Sequence, residues 1–123
     1  MKLLLDTHVL IWWDAGEELS ADAHEAIGAA TDVYVSAASA WEVSIKRALG
    51  KLSGARTVSE AAVASGFAEL PILMRHAEAV ERLPLLHRDP FDRLLVAQAQ
   101  VERLVIVTRD PEIVQYDVEA VLA

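Results

Sequence analysis

The chain has 123 residues, 54% of them hydrophobic, no cysteine and a formal net charge of −8. That length is one domain, residues 1–123, with room for a real core. The lack of cysteine excludes disulfides, iron–sulfur clusters and thiolate zinc sites, leaving oxygen or imidazole to hold any metal, and the acid excess excludes a protein that simply coats nucleic acid.

The predicted elements follow in chain order. KLLL (2–5) reads as a buried strand, and VLIWW after it as a helix or tight turn. SADAHEAIGAA (20–30) is helical with Ser20 as N-cap, and VYVS (33–36) is a second strand. From Ser39, AWEVSIKRALGKL is a helix closing near Gly50. TVSEAAVASG (57–66) is a short helix and ELPI (69–72) a short strand. MRHAEAVERL (74–83) is helical, PLLHRDP a loop, and DRLLVAQAQVERL (92–104) an amphipathic helix. VIVT (105–108) is a strand, DPEIVQY a turn or short helix, and DVEAVL a last strand. Short apolar strands alternating with helices indicate an α/β domain with a mainly parallel sheet.

Charge is unevenly spread. Residues 1–42 sum to −7, whereas residues 43–56 carry Lys46, Arg47, Lys51 and Arg56 without an acid. That basic segment reads equally as a solvated helix end or as a phosphate contact. The mean hydropathy of +0.28 points to an additional buried surface, such as a dimer or partner interface. No apolar run reaches the length of a membrane span, and Asp6 falls where a signal peptide would be apolar, so a cytoplasmic location is expected.

Five acids sit at element junctions: Asp6 after the first strand, Glu42 early in the third long helix, Asp89 and Asp92 in HRDPFDRLL, and Asp110 after VIVTR. Each has a capping explanation. Ser39 and Glu42 have capping-box spacing; Asp89-Pro90 and Asp110-Pro111 are cap-then-proline pairs; Asp6 could cap VLIWW. Together they have another. In a parallel α/β sheet, strand C-termini and the following helix N-termini share one edge, where ligands bind. Carboxylates gathered there repel one another unless a cation intervenes, and oxygen donors suit Mg²⁺ or Mn²⁺. Such a metal activates water, orients a phosphate and stabilises the departing oxygen.

LLLDTHVLIW, SAASAWEVSIKRALGKL, HRDPFDRLLVAQA and VIVTRD resemble, in order, the four acidic motifs of the PIN domain, with the nearest likeness to VapC-type toxins of toxin–antitoxin pairs. The resemblance spans nearly the whole chain. It implies a three-layer α/β/α fold, a Mg²⁺-dependent endoribonuclease, and homodimers held inactive by a small antitoxin. By position, Asp6, Glu42, Asp92 and Asp110 match the acidic quartet. Asp6 and Asp92 would be the principal metal ligands, Asp110 would complete the cluster directly or through water, and Glu42 would help hold a second metal or orient the attacking water. Asp89 is an additional acid, with N-capping preferred over a ligand role. Lys46, Arg47 and Lys51 follow Glu42 on its helix and are the candidates for guiding RNA. Arg93 or Arg109 would balance site charge.

Weaker features point to packing. His8, His24, His76 and His87 lie in separate segments without metal-site spacing, and a packing role is expected for His8. Trp12, Trp13 and Trp41 are assigned to core, dimer or antitoxin contacts in preference to base stacking. Among rivals, a haloacid-dehalogenase phosphatase needs Asp-x-Asp, and here His8 takes the second place. A non-catalytic PIN-like module is disfavoured by the intact quartet. A Rossmann domain lacks its Gly-rich loop.

Overall fold

The computed structural model describes residues 1–123 in full. Five parallel strands form one sheet: β1 (Lys2–Leu5), β2 (Asp32–Ser36), β3 (Ala68–Leu70), β4 (Val105–Thr108) and β5 (Ala120–Leu122). Their order is β3-β2-β1-β4-β5, with every neighbouring pair parallel. The chain runs outward from β1 to β3 on one side, then returns to place β4 against the other side of β1. Strand order therefore reverses at β1, and the crevice beyond the carboxyl ends of β1 and β4 is the topological switch point.

Six helices flank the sheet: α1 (Thr7–Asp14), α2 (Ala21–Ala29), α3 (Ala37–Ala48), α4 (Val58–Ala64), α5 (Met74–Ala79) and α6 (Pro90–Glu102), with short 3₁₀ turns at Val80–Arg82 and Ile113–Gln115. This is the expected α/β/α sandwich. Alternation along the strands builds its two cores. Leu3, Leu5 and Val107 pack with Val9, Leu10, Ala23 and Val58 on one face. Leu4 and Ile106 pack with Leu95, Val96, Ala99 and Ile113 on the other. Leu3, Leu4 and Leu5 are fully buried, each contributing about 1.5–3 kcal/mol of transfer free energy. The leading run of leucines is thus a strand covered on both faces.

Most element limits fall within a residue or two of expectation, and VLIWW resolves as helix. The N-terminus of α3 does not. It begins at Ala37, capped by Ser36, whose Oγ accepts from the Ala38 amide at 3.0 Å and donates to Gln98 Oε1 at 2.6 Å. The expected Ser39–Glu42 capping box is absent, because the last residue of β2 already supplies the cap and Ser39 lies inside the first turn. Its hydroxyl bonds Thr7 Oγ1 at 2.7 Å instead. The capping box of this chain joins Thr57 and Glu60 at the start of α4. Residues 74–83 are not one helix either; α5 ends at Ala79 and the chain tightens to 3₁₀.

Candidate metal and nuclease site

A cleft of about 540 Å³ opens at the switch point, lined by Asp6, Glu42, Asp89, Asp92 and Asp110 with His8, Trp12, Lys46, His87, Arg109 and Pro111. Each acid is delivered by a different piece of local physics. Asp6 follows β1 directly, and its amide donates to the Val107 carbonyl at 3.0 Å, pinning it to the end of β4. Glu42 stands one turn and a half into α3. Asp89 caps α6, accepting from the amides of Phe91 and Asp92, with Pro90 at the first helical position. That cap places Asp92 in the first turn, over the cleft. Asp110 follows β4, and its Oδ1 accepts from the Glu112 amide at 2.8 Å.

The acids differ in how they are compensated. Asp6 is buried and accepts from the Thr108 hydroxyl at 2.8 Å. Burial still raises its carboxyl above the usual range, against the pull of Thr108 and His8. Glu42 is 3% exposed; its Oε2 holds Lys46 at 2.7 Å, whereas its Oε1 is buried without a partner. The bond to Glu42 raises Lys46. Asp92 is pushed up to about 7, first by burial and then by the charges of Asp6, Asp89 and Glu42. A buried carboxylate oxygen without a donor and two acids pushed toward protonation mark a site with too much negative charge for its own cations. An all-oxygen set of this kind fits a hard divalent ion.

One member of the site was not legible as such. His87, from the loop before α6, reaches Asp92 Oδ2 with Nε2 at 2.8 Å and Asp110 Oδ2 at 3.3 Å, while Nδ1 meets Glu112 Oε2 at 2.7 Å. Burial lowers its affinity for a proton, but the bond and charge of Asp92, with Glu112 and Asp110, outweigh it and raise His87 overall. One ligand atom each from His87, Asp92 and Asp110 lie within 4.8 Å of one another. Asp6 and Glu42 line the same cleft, and their charges reach Asp92.

The expected basic guides separate. Lys46 lines the cleft. Arg47 does not: one residue further along α3, it lies with Leu10, Ile11, Asp14 and Gly54 in another pocket. Lys51, beyond the end of α3, is exposed and outside the cleft as well. Neither Arg93 nor Arg109 pairs with a site acid. Arg93 ties the carbonyls of Val80 and Pro84 and the Tyr116 hydroxyl, and Arg109 ties those of Glu18 and Ala123 while stacking on Trp12 at 4.1 Å. His8 is exposed at the cleft, not packed. Trp41, 58% exposed beside Glu42, meets Phe91 edge to face at 4.9 Å.

The PIN domain pattern matches residues 3–119, and the chain belongs to that family, a family of nucleases. Its fold is shared with solved structures at low identity. VapBC2 from Rickettsia felis, bound to a DNA fragment from its promoter, aligns at TM-score 0.73 and 11% identity, covering 99% of this chain and 98% of that one. A toxin–antitoxin complex from Klebsiella pneumoniae aligns at 0.59 and 23% identity, covering 88% and 86%. FitAcB from Neisseria gonorrhoeae aligns at 0.62 and 18% identity, covering 96% and 95%. No curated protein sequence matches the chain. No helix is long and apolar enough to cross a membrane.

Proposed function

We propose that this chain is a VapC-type toxin: a single-domain, Mg²⁺-dependent endoribonuclease that a small antitoxin holds inactive. One observation carries the reading. Asp6, Glu42, Asp92 and Asp110, from four separate segments, line one cleft at the switch point, with a buried Glu42 oxygen lacking any donor. Membership of a nuclease family and a fold shared with toxin–antitoxin proteins support it.

Asp6, Asp92 and Asp110 would hold the cation. When bound, Mg²⁺ or Mn²⁺ supplies an activated water and charge stabilisation for phosphodiester cleavage. The chain's own residues do the rest. Glu42 is held by Lys46 through one oxygen while the other is unpartnered, and Thr108 fixes the Asp6 carboxylate. Lys46 and Arg109 are the basic side chains that line the cleft, and they would meet the phosphate backbone of RNA. The half-buried Trp12 that lines the cleft, and the exposed Trp41 beside Glu42 in sequence, would offer faces on which bases can stack. The acidic remainder lowers non-specific affinity. A homodimer and an antitoxin complex would cover exposed apolar side chains such as Met74, Leu85 and Leu86.

The test incubates purified protein with total RNA in Mg²⁺, in EDTA, and as Asp6→Asn. Cleavage that needs Mg²⁺ and disappears in folded Asp6→Asn is expected. Undiminished cleavage by that variant would sink the assignment.

A further inference from the structure

We infer that His87 is a nitrogen ligand of the cation that Asp92 and Asp110 hold, oriented by Glu112, so that the site prefers Mn²⁺ to Mg²⁺. This rests on the metal-dependent reading above and adds a donor outside the acidic quartet.

The imidazole is fixed at both ends. Its backbone amide donates to the Tyr116 hydroxyl at 2.9 Å, and Tyr116 is itself buried and bonded by Arg93. Two groups approach Nδ1: the Glu112 carboxylate at 2.7 Å and the Asp89 amide at 3.4 Å. A carboxylate accepts only from a protonated ring nitrogen, so Nδ1 donates to Glu112 and leaves the Asp89 amide the weaker contact. Nε2 faces the carboxylates of Asp92 and Asp110 at 2.8 and 3.3 Å; without metal a proton lies between them, and a cation held by the same two acids would take that proton's place. A carboxylate on one ring nitrogen with the other turned to a cation is the arrangement that orients metal-bound histidines.

Glu112 is not there by chance of a flexible side chain alone. Its amide donates to Asp110 Oδ1, so one turn carries both a ligand acid and the residue that holds the imidazole. The spacing among the three donors, within 4.8 Å, suits a shared ion after modest side-chain movement, since metal–ligand bonds are about 2.0–2.2 Å. The independent sign of an ion is Glu42, a residue lining the same cleft and only 3% exposed, whose Oε1 is buried and unpartnered. Imidazole is a poor partner for Mg²⁺ and a good one for first-row transition metals, hence the preference.

The experiment titrates the metal-stripped full chain with Mn²⁺ without RNA, reading free ion by continuous-wave electron paramagnetic resonance and bound ion by pulsed methods for coupling to ¹⁴N. Wild type is expected to bind Mn²⁺ with ¹⁴N coupling, and at least tenfold more tightly than Mg²⁺ measured by displacement. His87→Gln should lose the coupling and about tenfold or more in Mn²⁺ affinity, with a smaller loss for Mg²⁺. Glu112→Gln should keep the coupling but weaken binding, as expected of a positioning residue. His8→Gln should change neither. Bound Mn²⁺ without nitrogen coupling, or coupling that survives His87→Gln and vanishes in His8→Gln, overturns this inference alone. Absence of Mn²⁺ and Mg²⁺ binding overturns the metal-dependent reading with it.

Discussion

The Thr108 hydroxyl donates to the Asp6 carboxylate at 2.8 Å across two adjacent parallel strands, and accepts from the Asp110 amide at 3.0 Å. A single fully buried hydroxyl therefore ties together two acids that the sequence places at opposite ends of the chain. Thr108→Val keeps the shape but strands both partners. It should cost about 1–3 kcal/mol of stability, because a buried polar group without its partner bears its desolvation penalty. RNA cleavage should fall at least tenfold, since Asp6 loses its fixed orientation. Thr108→Ser should restore most of both. Denaturant midpoints and cleavage rates on the three proteins provide the check.

Metal-free stability should fall as pH rises toward neutrality. Asp92 is raised from the ordinary 3.8 to about 7, and Asp6 is raised in the same direction. Between those values the folded chain holds protons that the unfolded chain has released, so the slope of stability against pH is negative. The contribution is fully present below about pH 4 and lost as pH passes about 7. Glu102, held low by Arg75, acts the other way; its contribution is lost only as pH falls below the ordinary glutamate range, so the two windows separate. Melting in EDTA should thus give a lower Tm at pH 8 than at pH 5.5, each kcal/mol moving Tm by roughly 4 °C at this size. Millimolar Mg²⁺ at pH 8 should recover the difference, and Asp92→Asn should flatten the profile. A Tm that rises from pH 5.5 to 8 in EDTA would contradict the charge assignment.

Ser36 and Ser39 provide a local test of how α3 begins. Ser36→Ala removes the N-cap and leaves Gln98 Oε1 without its 2.6 Å donor, a loss of about 1.5–3 kcal/mol. Ser39→Ala removes one bond, to Thr7, at about 0.5–1.5 kcal/mol. Chemical denaturation orders the two directly. The reverse order would mean that the helix is capped from Ser39 after all.

The sequence made the acids legible because each stands where the chain changes element, and such places carry punctuation. Asp89-Pro90 and Asp110-Pro111 announce their turns, and Asp6 interrupts an apolar run. Helical period alone could have separated Lys46 from Arg47: Glu42 and Lys46 are four residues apart and share a face, while Arg47 lies roughly 100° further round. Grouping them by charge hid that offset. His87 was out of reach for a different reason. Its partners Asp110 and Glu112 come from beyond β4, and only the return of that strand beside β1 brings them to the loop before α6. Nothing local distinguishes a histidine that will meet them. Likewise Arg93 and Arg109 neighbour site acids in sequence, yet their guanidinium groups go to backbone carbonyls, which pin loops and the chain's end.

The last prediction concerns Lys46, the one basic guide that lines the cleft. Its ammonium holds Glu42 Oε2 at 2.7 Å while its own side chain is 36% exposed, so it can give up part of that contact to a phosphate at small cost. Lys46→Met keeps the aliphatic stem and removes the charge. Without metal, Glu42 is then left with both oxygens short of donors, and stability should fall by about 1–3 kcal/mol. With Mg²⁺ the loss should shrink, because the cation takes over part of the compensation. Divalent-ion affinity should rise a few-fold as the cleft becomes more negative, whereas RNA should bind more weakly and with a salt dependence lower by about one phosphate contact. Arg47→Met, facing another pocket, should leave the salt dependence unchanged. Filter binding of RNA to both variants across a salt series, in Ca²⁺ to suppress turnover, separates the two. Equal losses in salt slope would return Arg47 to the RNA path and remove the case for Lys46 as the cleft's own guide.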